Sequence, residues 1–416
     1  MVVPAPLLTN AKIGWRNLWR NPGRTLLIWL AIAVAQFTLV WITSFLNGYG
    51  ALIFQVLTGP VLGHIQLHAP KYLDDNAVER TMPHALSLVR EVQRQPHVAR
   101  VSPRVYAPVL AAEQELGHVA TVIGLDIPSE AAADGLLEGL PRGQWPGPDE
   151  ALVGKGLADE MGLHMGQTLA LMGQAVDGSV ASGLYRIKGI VQTGSDRFNR
   201  TGIIMPLGAA QEFLAMTDEI HELTVRADQP ANIPQVVAEL RASPLLSKLD
   251  IDDWKTLAPQ IATFLEMFGS INLIALVLVF LTTMAGIANT MLMATFERGH
   301  EFGMLLALGC RPARLIGILL LESIFLGIAG VAIGSLLGTS LVAYESRHGV
   351  DLSVLAGGRG IVLSSEFGSI SLHMYPILDW VIVAQSIAAV IVTSVLACLW
   401  PARRISRLEA AEAMRS

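Results

Sequence analysis

The chain has 416 residues, of which 52% are hydrophobic and 15% are charged, with a formal net charge of −6 and a mean hydropathy of +0.49. Soluble globular domains carry about 25% charged residues, so this composition excludes an ordinary soluble protein. The two cysteines, Cys310 and Cys398, lie outside the long polar region at residues 47–262. Disulfides therefore cannot stabilise that region, and its stability must come from a hydrophobic core.

Four apolar stretches are each long enough to cross a hydrocarbon core of about 30 Å, which takes ~20 helical residues. We predict an α-helical membrane protein with four transmembrane helices plus a large α+β extracytoplasmic domain inserted between helices 1 and 2. The predicted segments are a cytoplasmic or interfacial amphipathic helix (1–24), transmembrane helix 1 (25–46), the extracytoplasmic domain with stalk helices (47–262), transmembrane helix 2 (263–293), a cytoplasmic coupling helix (294–314), transmembrane helix 3 (315–343), an extracytoplasmic loop (344–377), transmembrane helix 4 (378–400) and a cytoplasmic tail (401–416).

The charge distribution predicts the orientation. Basic residues lie before the first span and after the last span in the sequence. Those before the first span are Lys12, Arg16, Arg20 and Arg24. Residues 47–262 instead hold 25 acidic and 16 basic side chains. The positive-inside rule then places both termini in the cytoplasm of a multi-pass protein of the inner (cytoplasmic) membrane. The first apolar run, of about 22 residues, exceeds the 7–15 residues of a signal-peptide core, so we expect an uncleaved anchor.

The polar region alternates between two kinds of pattern. The stretches "GHIQLHAP" and "LYRIKGIV" alternate or are β-branched, which predicts strands. The stretches "HALSLVREVQ" and "NIPQVVAELRAS" have apolar residues at helical spacing. These patterns are the basis for an α+β domain.

Small and acidic residues in the third span indicate helix packing. Gly330, Gly334 and Gly338 form one smooth face that another helix can approach closely. That neighbour can belong to the same subunit or to a partner. Glu322 lies about two turns into the span, where an ionised carboxylate costs ~2.5–3.5 kcal/mol. A hydrogen bond to a neighbouring helix or to the interfacial helix explains it better than a proton relay, which would need a chain of such groups.

The connector between spans 2 and 3 carries more structure than a plain turn requires. It reads "FERGHEFGMLLALGCRPARL", with a charged start, an apolar helix and a glycine stop. We find no catalytic constellation elsewhere. The Gly154-Lys155 pair lacks the glycines and the hydroxyl of a phosphate loop, and His300-Glu301 lacks the second histidine of a zinc protease. We therefore expect a non-enzymatic subunit with no cofactor or metal of its own.

Four segments of the sequence resemble segments of a known family. The stretch "FERGHEFGMLLALGCRPARLIGILLLESIFLGIAGVAIGSLLG" resembles the signature of FtsX/MacB-type permeases of ABC transporters. The terminal "PARRISRLEAAEAMRS", the first span "GWRNLWRNPGRTLLIWLAI" and "ALVGKGLADEMGLHMGQTLAL" resemble further segments of that family in the same order. Length and layout are most similar to its lipoprotein-releasing permeases of the LolC/LolE type.

The resemblance implies the partners. A dimer of permeases, with a second identical or different permease chain, would bind an ABC ATPase subunit dimer, and that partner would hold ATP and Mg. The connector would be the coupling helix in a groove of the ATPase. Glu297, Arg298 and Glu301 would pair with the partner's charges. Phe302, Leu305 and Leu306 would form an apolar face, and Gly309 would supply the left-handed stop.

The resemblance also implies a cargo. It predicts ATP-driven, mechanical extraction of lipoproteins or similar lipid-anchored substrates from the outer leaflet of the inner membrane. An acyl-chain cavity could be lined by Phe37, Trp41, Phe45, Met267, Ile271 and Ile274, although plain lipid-facing or core packing explains these residues equally well. Two alternatives stay open: a MacB-like efflux or mechanotransmission permease for peptides or small amphiphiles, and an FtsX-like regulator of a cell-wall hydrolase. Docking of a periplasmic lipoprotein carrier or adaptor also stays open, because the family's hairpin corresponds here to residues 172–186, which lack a bulky tip.

Overall fold

A computed structural model describes residues 5–113, 116–132, 136–138, 140–193, 195–351, 363–364, 369–370 and 373–406. The predicted tail at 401–416 and the predicted loop at 344–377 therefore lie partly outside the described residues. The described chain separates into two compact units. One comprises Met1–Gly50, Glu266–Leu352 and His373–Ser416, and the other comprises Ala51–Leu265 and Ser353–Leu372.

The first unit is helical. Its helices, several of which extend beyond the unit's limits, are α1 (Ala5–Leu18), α2 (Pro22–Leu57), α11 (Pro259–Glu297), α12 (Gly299–Ala307), α13 (Pro312–His348) and α14 (Trp380–Ser406). Among the described residues, four stretches are long and apolar enough to cross a membrane: Pro22–Gln55, Pro259–Glu297, Pro312–His348 and Trp380–Cys398. The first three of these stretches are longer than the corresponding predicted spans, and α2 and α11 include residues 47–57 and 259–262, which the sequence prediction assigns to the stalk helices.

The second unit contains the strands and the short helices. They are β1 (Ile65–His68), α3 (Tyr72–Asp75), β2 (Met82–Pro83), α4 (Ala85–Gln93), β3 (Val98–Glu113), β4 (Leu116–Leu125), α5 (Ile127–Glu130), β5 (Glu150–Gly154), α6 (Lys155–Met161), β6 (Thr168–Gln174), β7 (Val180–Val191), α7 (Asp196–Thr201), β8 (Gly202–Pro206), α8 (Leu207–Phe213), β9 (Glu219–Ile220), β10 (Glu222–Ala227), α9 (Ile233–Ala242), β11 (Asp250–Asp253) and α10 (Trp254–Leu257). Four further two-residue strands are β12 (Val350–Asp351) and β15 (His373–Met374), which belong to the first unit, and β13 (Leu363–Ser364) and β14 (Ser369–Ile370), which belong to the second.

One nine-stranded sheet organises this unit. Its order is β11-β1-β10-β3-β4-β8-β5-β7-β6, and β6 pairs again with β3. The strands from β3 to β6 therefore form a closed ring of six, while β10, β1 and β11 extend the sheet as an open wing. The long strand β3 belongs to both parts, since its first half pairs with β10 and its second half with β4 and β6. Closing the ring leaves fewer exposed strand edges.

The core of the second unit follows from the strand alternation. Alternate residues of β3, such as Val105, Ala107, Val109 and Ala111, are buried and pack with the inward residues of the other strands. Helices α4 and α9 bury Leu88, Val92, Val236 and Leu240 in the same cluster. Both helices and both strand stretches predicted from the sequence lie in these elements.

Glycine contacts bring α13 against α2. A Cβ atom at Gly330 would lie 2.6 Å from the Cβ atom of Ile32, and one at Gly338 would lie 3.1 Å from that of Val40. Between them, a Cβ atom at Gly334 would lie 2.4 Å from the carbonyl oxygen of Ala33. All three contacts lie within one chain, so the question left open by the sequence is answered here: the neighbour of this glycine face is the first long helix of the same subunit.

A buried polar cluster crosses the same helices. The side chain of Gln36, fully buried, donates hydrogen bonds to the hydroxyls of Ser335 on α13 (3.1 Å) and Ser386 on α14 (2.8 Å). About one turn before Gly330, Gly327 of α13 lies against Ser394 of α14. In a hydrocarbon environment such polar pairs contribute about 0.6 kcal/mol each. Helices α2, α13 and α14 therefore form one packed group.

Candidate coupling site

The connector between α11 and α13 begins and ends at defined backbone breaks. Arg298, at φ −105° and ψ 12°, interrupts the helix between α11 and α12. At the other end, Gly309 adopts φ +84°. The Gly309 amide donates to the carbonyl of Leu306 (3.0 Å), and the Cys310 amide donates to that of Leu305 (2.9 Å). This is the Schellman pattern, which requires a left-handed residue that glycine supplies at the lowest cost.

The two glutamates of the connector are paired within the chain. Glu301 accepts two hydrogen bonds from the guanidinium of Arg20, at 2.8 and 2.9 Å. Glu297 accepts two from Arg24, at 2.5 and 3.0 Å. The hydrogen bonds from Arg20 lower the pKa of Glu301 below its usual value. The resemblance predicts that both glutamates pair with charges of the ATPase, whereas the structure gives each a bidentate partner in the same chain, Arg20 just before α2 and Arg24 at its start.

The third charge of the connector is buried. The guanidinium of Arg298 lies 3.2 Å from the carboxylate of Glu322 on α13 and also donates to the backbone carbonyl of Asn17 on α1 (3.3 Å). The side-chain amide of Asn17 donates to the same carboxylate at 3.3 Å. The side chains of Arg298 and Glu322 are only 11% and 5% exposed. Glu322 is therefore hydrogen-bonded to the N-terminal helix, one of the two kinds of partner that the sequence suggested.

The apolar residues of α12 include both buried and exposed side chains, and the exposed set differs from the predicted one. Phe302 is 7% exposed and packs with Leu18, Met291 and Leu315. Leu306, one turn later, packs partly against the same cluster. The prediction of an exposed face formed by Phe302, Leu305 and Leu306 is therefore wrong for Phe302, because its side of the helix faces α1, α11 and α13. The exposed apolar residues are Met304 (49%), Leu305 (40%) and Leu308 (78%).

Comparisons with known proteins identify the family of this chain. The MacB-like periplasmic core domain matches residues 25–243, more than half of the chain, and the FtsX-like permease C-terminal domain matches residues 273–410. The chain belongs to this family of permeases. It is an ABC transporter permease of the LolC/LolE, MacB or FtsX type and a multi-pass membrane protein.

Individual relatives span different shares of the permease. The lipoprotein-releasing system transmembrane protein LolE of Haemophilus influenzae is 22% identical over 399 residues, which is 93% of both chains. The transmembrane protein LolC of the same kind of system, from Neisseria meningitidis, is 24% identical and covers 66% of this chain and 68% of its own. The solved periplasmic region of MacB from Actinobacillus actinomycetemcomitans is 12% identical, covers 50% of this chain and 97% of its own, and has a TM-score of 0.35.

The residues predicted for an acyl-chain cavity fall into two groups in the permease. On α2, the rings of Trp41 and Phe45 lie 5.7 Å apart, and Phe37 is half-buried one turn earlier. The Trp41 indole donates to the carboxylate of Glu345 on α13 at 2.9 Å, so this side chain is oriented by helix packing. On α11, Met267 and Ile274 are 47% and 59% exposed, and Ile271 is half-buried. A shared cavity stays a prediction.

Sequence reasoning missed a buried charge network in the domain of the second unit. Arg104 on β3 is 1% exposed, and its Nε and Nη2 atoms donate to the carboxylate of Glu130 at 3.1 and 2.9 Å. Its Nη1 atom donates to Glu222 on β10 (3.4 Å). Burial disfavours ionisation of Glu130, but the charge of Arg104 and the hydrogen bond from Ser102 outweigh it and lower the carboxyl pKa. No local pattern signals this network, because its members are far apart in sequence.

Proposed function

We propose that this permease uses ATP hydrolysis by a separate ATPase subunit to extract lipoproteins, or a similar lipid-anchored substrate, from the outer leaflet of the inner membrane. The observation that carries the proposal is the match to the lipoprotein-releasing protein LolE, which runs through 93% of both chains. A match of that length extends over the strand-rich domain and the connector. The MacB relative of Nitrobacter winogradskyi covers only 38% of this chain and 25% of its own length.

The connector helix is the proposed docking element for the ATPase. Met304, Leu305 and Leu308 form an apolar, exposed edge of α12 without a charged residue among them. An amphipathic helix that places such residues into a hydrophobic groove is a recurring mode of protein recognition. Burial of Leu308 in a groove would contribute about 1.5–3 kcal/mol, which suits a contact that must survive repeated cycles.

The two helices that flank the strand-rich domain in sequence are the proposed mechanical link. At 1.5 Å per residue, the 39 residues of α11 extend for about 58 Å and the 36 residues of α2 for about 54 Å. A hydrocarbon core needs about 30 Å. Both helices thus continue without a break well beyond the core, and a tilt of either helix at the cytoplasmic end would move its far end. In this proposal the domain lies outside, between spans 1 and 2, with both termini in the cytoplasm.

A reconstituted release assay tests the proposal. The permease, its ATPase and, where one exists, its second permease are placed in proteoliposomes with a triacylated lipoprotein, and release is measured with ATP and with a non-hydrolysable analogue. We expect release only with ATP. A matched control uses the same lipoprotein without its acyl chains, which should give no ATP-dependent signal. Stimulated ATP hydrolysis without release would reject lipoprotein as the cargo and favour efflux of small amphiphiles or regulation of a hydrolase.

A further inference from the structure

The charges of the connector do more than the proposed docking function requires. Three guanidinium–carboxylate pairs join this short segment to other elements: Arg20–Glu301, Arg24–Glu297 and Arg298–Glu322. Their partners lie just after α1, at the start of α2 and within α13. A helix that only docks into a groove does not need Glu297, Arg298 and Glu301 all paired within its own chain.

The pairs form a continuous arrangement around the N-terminal helix. Arg20, which follows α1, is held by Glu301 on α12, and Asn17 on α1 is held by both Arg298 and Glu322. The side chain of Asn10, also on α1, accepts a hydrogen bond from Arg314 (3.3 Å). Helix α1 is thus attached to the connector and to α13 by polar contacts at two points, Asn10 near its middle and Asn17 near its end.

The energies of the exposed pairs indicate that folding is not their main role. Arg20 and Glu301 are 54% and 44% exposed, and Arg24 and Glu297 are 31% and 37% exposed. Exposed ion pairs contribute little to stability, so the fold does not depend on them. Bidentate pairing does, however, fix the mutual orientation of the two groups. The useful property of these two pairs is therefore the geometry that they hold.

We propose that the Arg20–Glu301 and Arg24–Glu297 pairs are a latch that makes α1 and the start of α2 move with the connector when the ATPase moves it. The buried Arg298–Glu322 pair attaches the same connector to α13. The inference rests on the proposed function only in that an ATPase moves α12. It assigns the two glutamates to positioning within the permease, and it leaves the apolar edge at Met304, Leu305 and Leu308 for the ATPase.

Charge reversal separates this role from a direct contact with the ATPase. If Glu301 positions α1, then Glu301→Arg breaks the pair and Arg20→Glu in the same chain restores it with opposite polarity. If Glu301 instead contacts the ATPase, the second substitution cannot restore the function, because the ATPase still meets the wrong charge. Both single variants are expected to fold, since both groups are exposed.

The experiment follows the motion of α1 and the connector independently of any cargo. Both reporter variants carry Cys398→Ser. In the first, the native thiol of Cys310 reports on the connector. In the second, Cys310 is also replaced by serine, and a thiol introduced by Lys12→Cys reports on α1. Maleimide labelling rates are measured in proteoliposomes with the ATPase, with and without a non-hydrolysable ATP analogue. In the otherwise unchanged chain, we expect the analogue to change both rates.

The latch predicts which of these changes is lost. In Arg20→Glu or Glu301→Arg, the Cys310 response persists, while the response at position 12 falls by about fivefold or more, the range of a typical coupling between sites. The double variant restores it to within about twofold. The exposed Asp196–Arg200 pair of the second unit serves as the control, and its single and double reversals should change neither rate.

Two results would overturn the latch. One is an unchanged response at position 12 in both single variants. The other is loss of the Cys310 response in Glu301→Arg together with no recovery in the double variant, which would place Glu301 at the ATPase. If the analogue changes neither rate in the unmodified chain, ATPase coupling itself fails, and with it both the proposed function and the latch. Failure to release lipoprotein while both rates respond would instead reject only the cargo.

Discussion

Replacement of Gly334 by alanine should loosen the membrane-spanning helices in a way that the structure makes measurable. A Cβ atom at this position would lie 2.4 Å from the carbonyl oxygen of Ala33 and 2.7 Å from the Cβ atom of Gln36. The first of these atoms is backbone and cannot rotate away. Ordinary contact begins at 3.4 Å, so α13 must move from α2 by about 1 Å or deform.

The expected cost has two parts. Overpacking of a tight contact costs about 1–3 kcal/mol. A displacement of about 1 Å would also break the 3.1 Å hydrogen bond from Gln36 to Ser335, which contributes ~0.6 kcal/mol in a membrane interior. Alanine gains about 0.5–1 kcal/mol over glycine in a helix. The free energy of unfolding should therefore fall by about 1–3 kcal/mol.

Gly317 provides the matched control for helix propensity. It lies in the same helix, and a Cβ atom there would meet nothing within 4 Å. Gly317→Ala should gain the propensity term without the clash, so it should be neutral or stabilising by up to about 1 kcal/mol. The difference between the two alanine variants, about 2–4 kcal/mol, is free of the propensity term.

The native cysteines supply the assay. Cys398 on α14 is fully buried among the packed helices, whereas Cys310 is partly exposed in the connector. In a Cys310→Ser background, a thiol-reactive dye therefore reports opening of the helix bundle as the detergent-solubilised permease is heated. We expect Cys398 to react at a clearly lower temperature in Gly334→Ala than in Gly317→Ala. Equal reaction temperatures would refute the close helix approach.

Three further predictions use buried side chains of both units. Phe302→Ala should destabilise the helix bundle by about 3–5 kcal/mol because Phe302 is 7% exposed, whereas Leu305→Ala should leave thermal stability unchanged and lower stimulated ATPase activity. Arg104→Met should lower the free energy of unfolding by about 3–5 kcal/mol, because it leaves Glu130 buried without its cation. The control Arg186→Met, at a side chain that is 61% exposed, should lower it by less than ~1 kcal/mol. Limited proteolysis of the full chain compares the two variants. The pKa of Glu130 is lowered on folding, so its contribution to stability is present above the unfolded pKa of about 4.3 and is lost as the pH falls through the folded pKa. Glu130→Gln should remove that acid-side loss from a circular-dichroism titration, and an unchanged acid midpoint would contradict the assignment.

The sequence was most informative where the signal is local. Apolar length indicated the spans, and the Gly309 and Pro312 positions indicated where the connector helix ends and α13 begins. Strand alternation likewise located β1 and β7 within a few residues. It could not predict the closed ring of six strands, because the pairing of β6 with β3 that closes the ring joins segments that are about 60 residues apart.

Side-chain partners were least predictable. Glu301 and Arg20 are 281 positions apart in the chain, and Glu297 and Arg24 are 273 apart. A charged helix beside a membrane looks the same in sequence whether its charges face another subunit or another part of the same chain. Glu322 was easier, since the cost of a carboxylate in a span demands a hydrogen-bonding neighbour, and few elements could supply one.

The placement of Phe302 decides how the connector can work. If Phe302 were exposed as predicted, α12 could dock with its full apolar side and pivot freely on the charged residues around it. Buried among α1, α11 and α13, it instead fixes α12 to the bundle by a core contact of the kind that costs about 3–5 kcal/mol to remove. In the proposed coupling, a push on the exposed edge at Leu305 and Leu308 reaches the packed helices through the buried ring of Phe302, and the ion pairs near the start of α12 set the orientation in which α1 and the start of α2 follow.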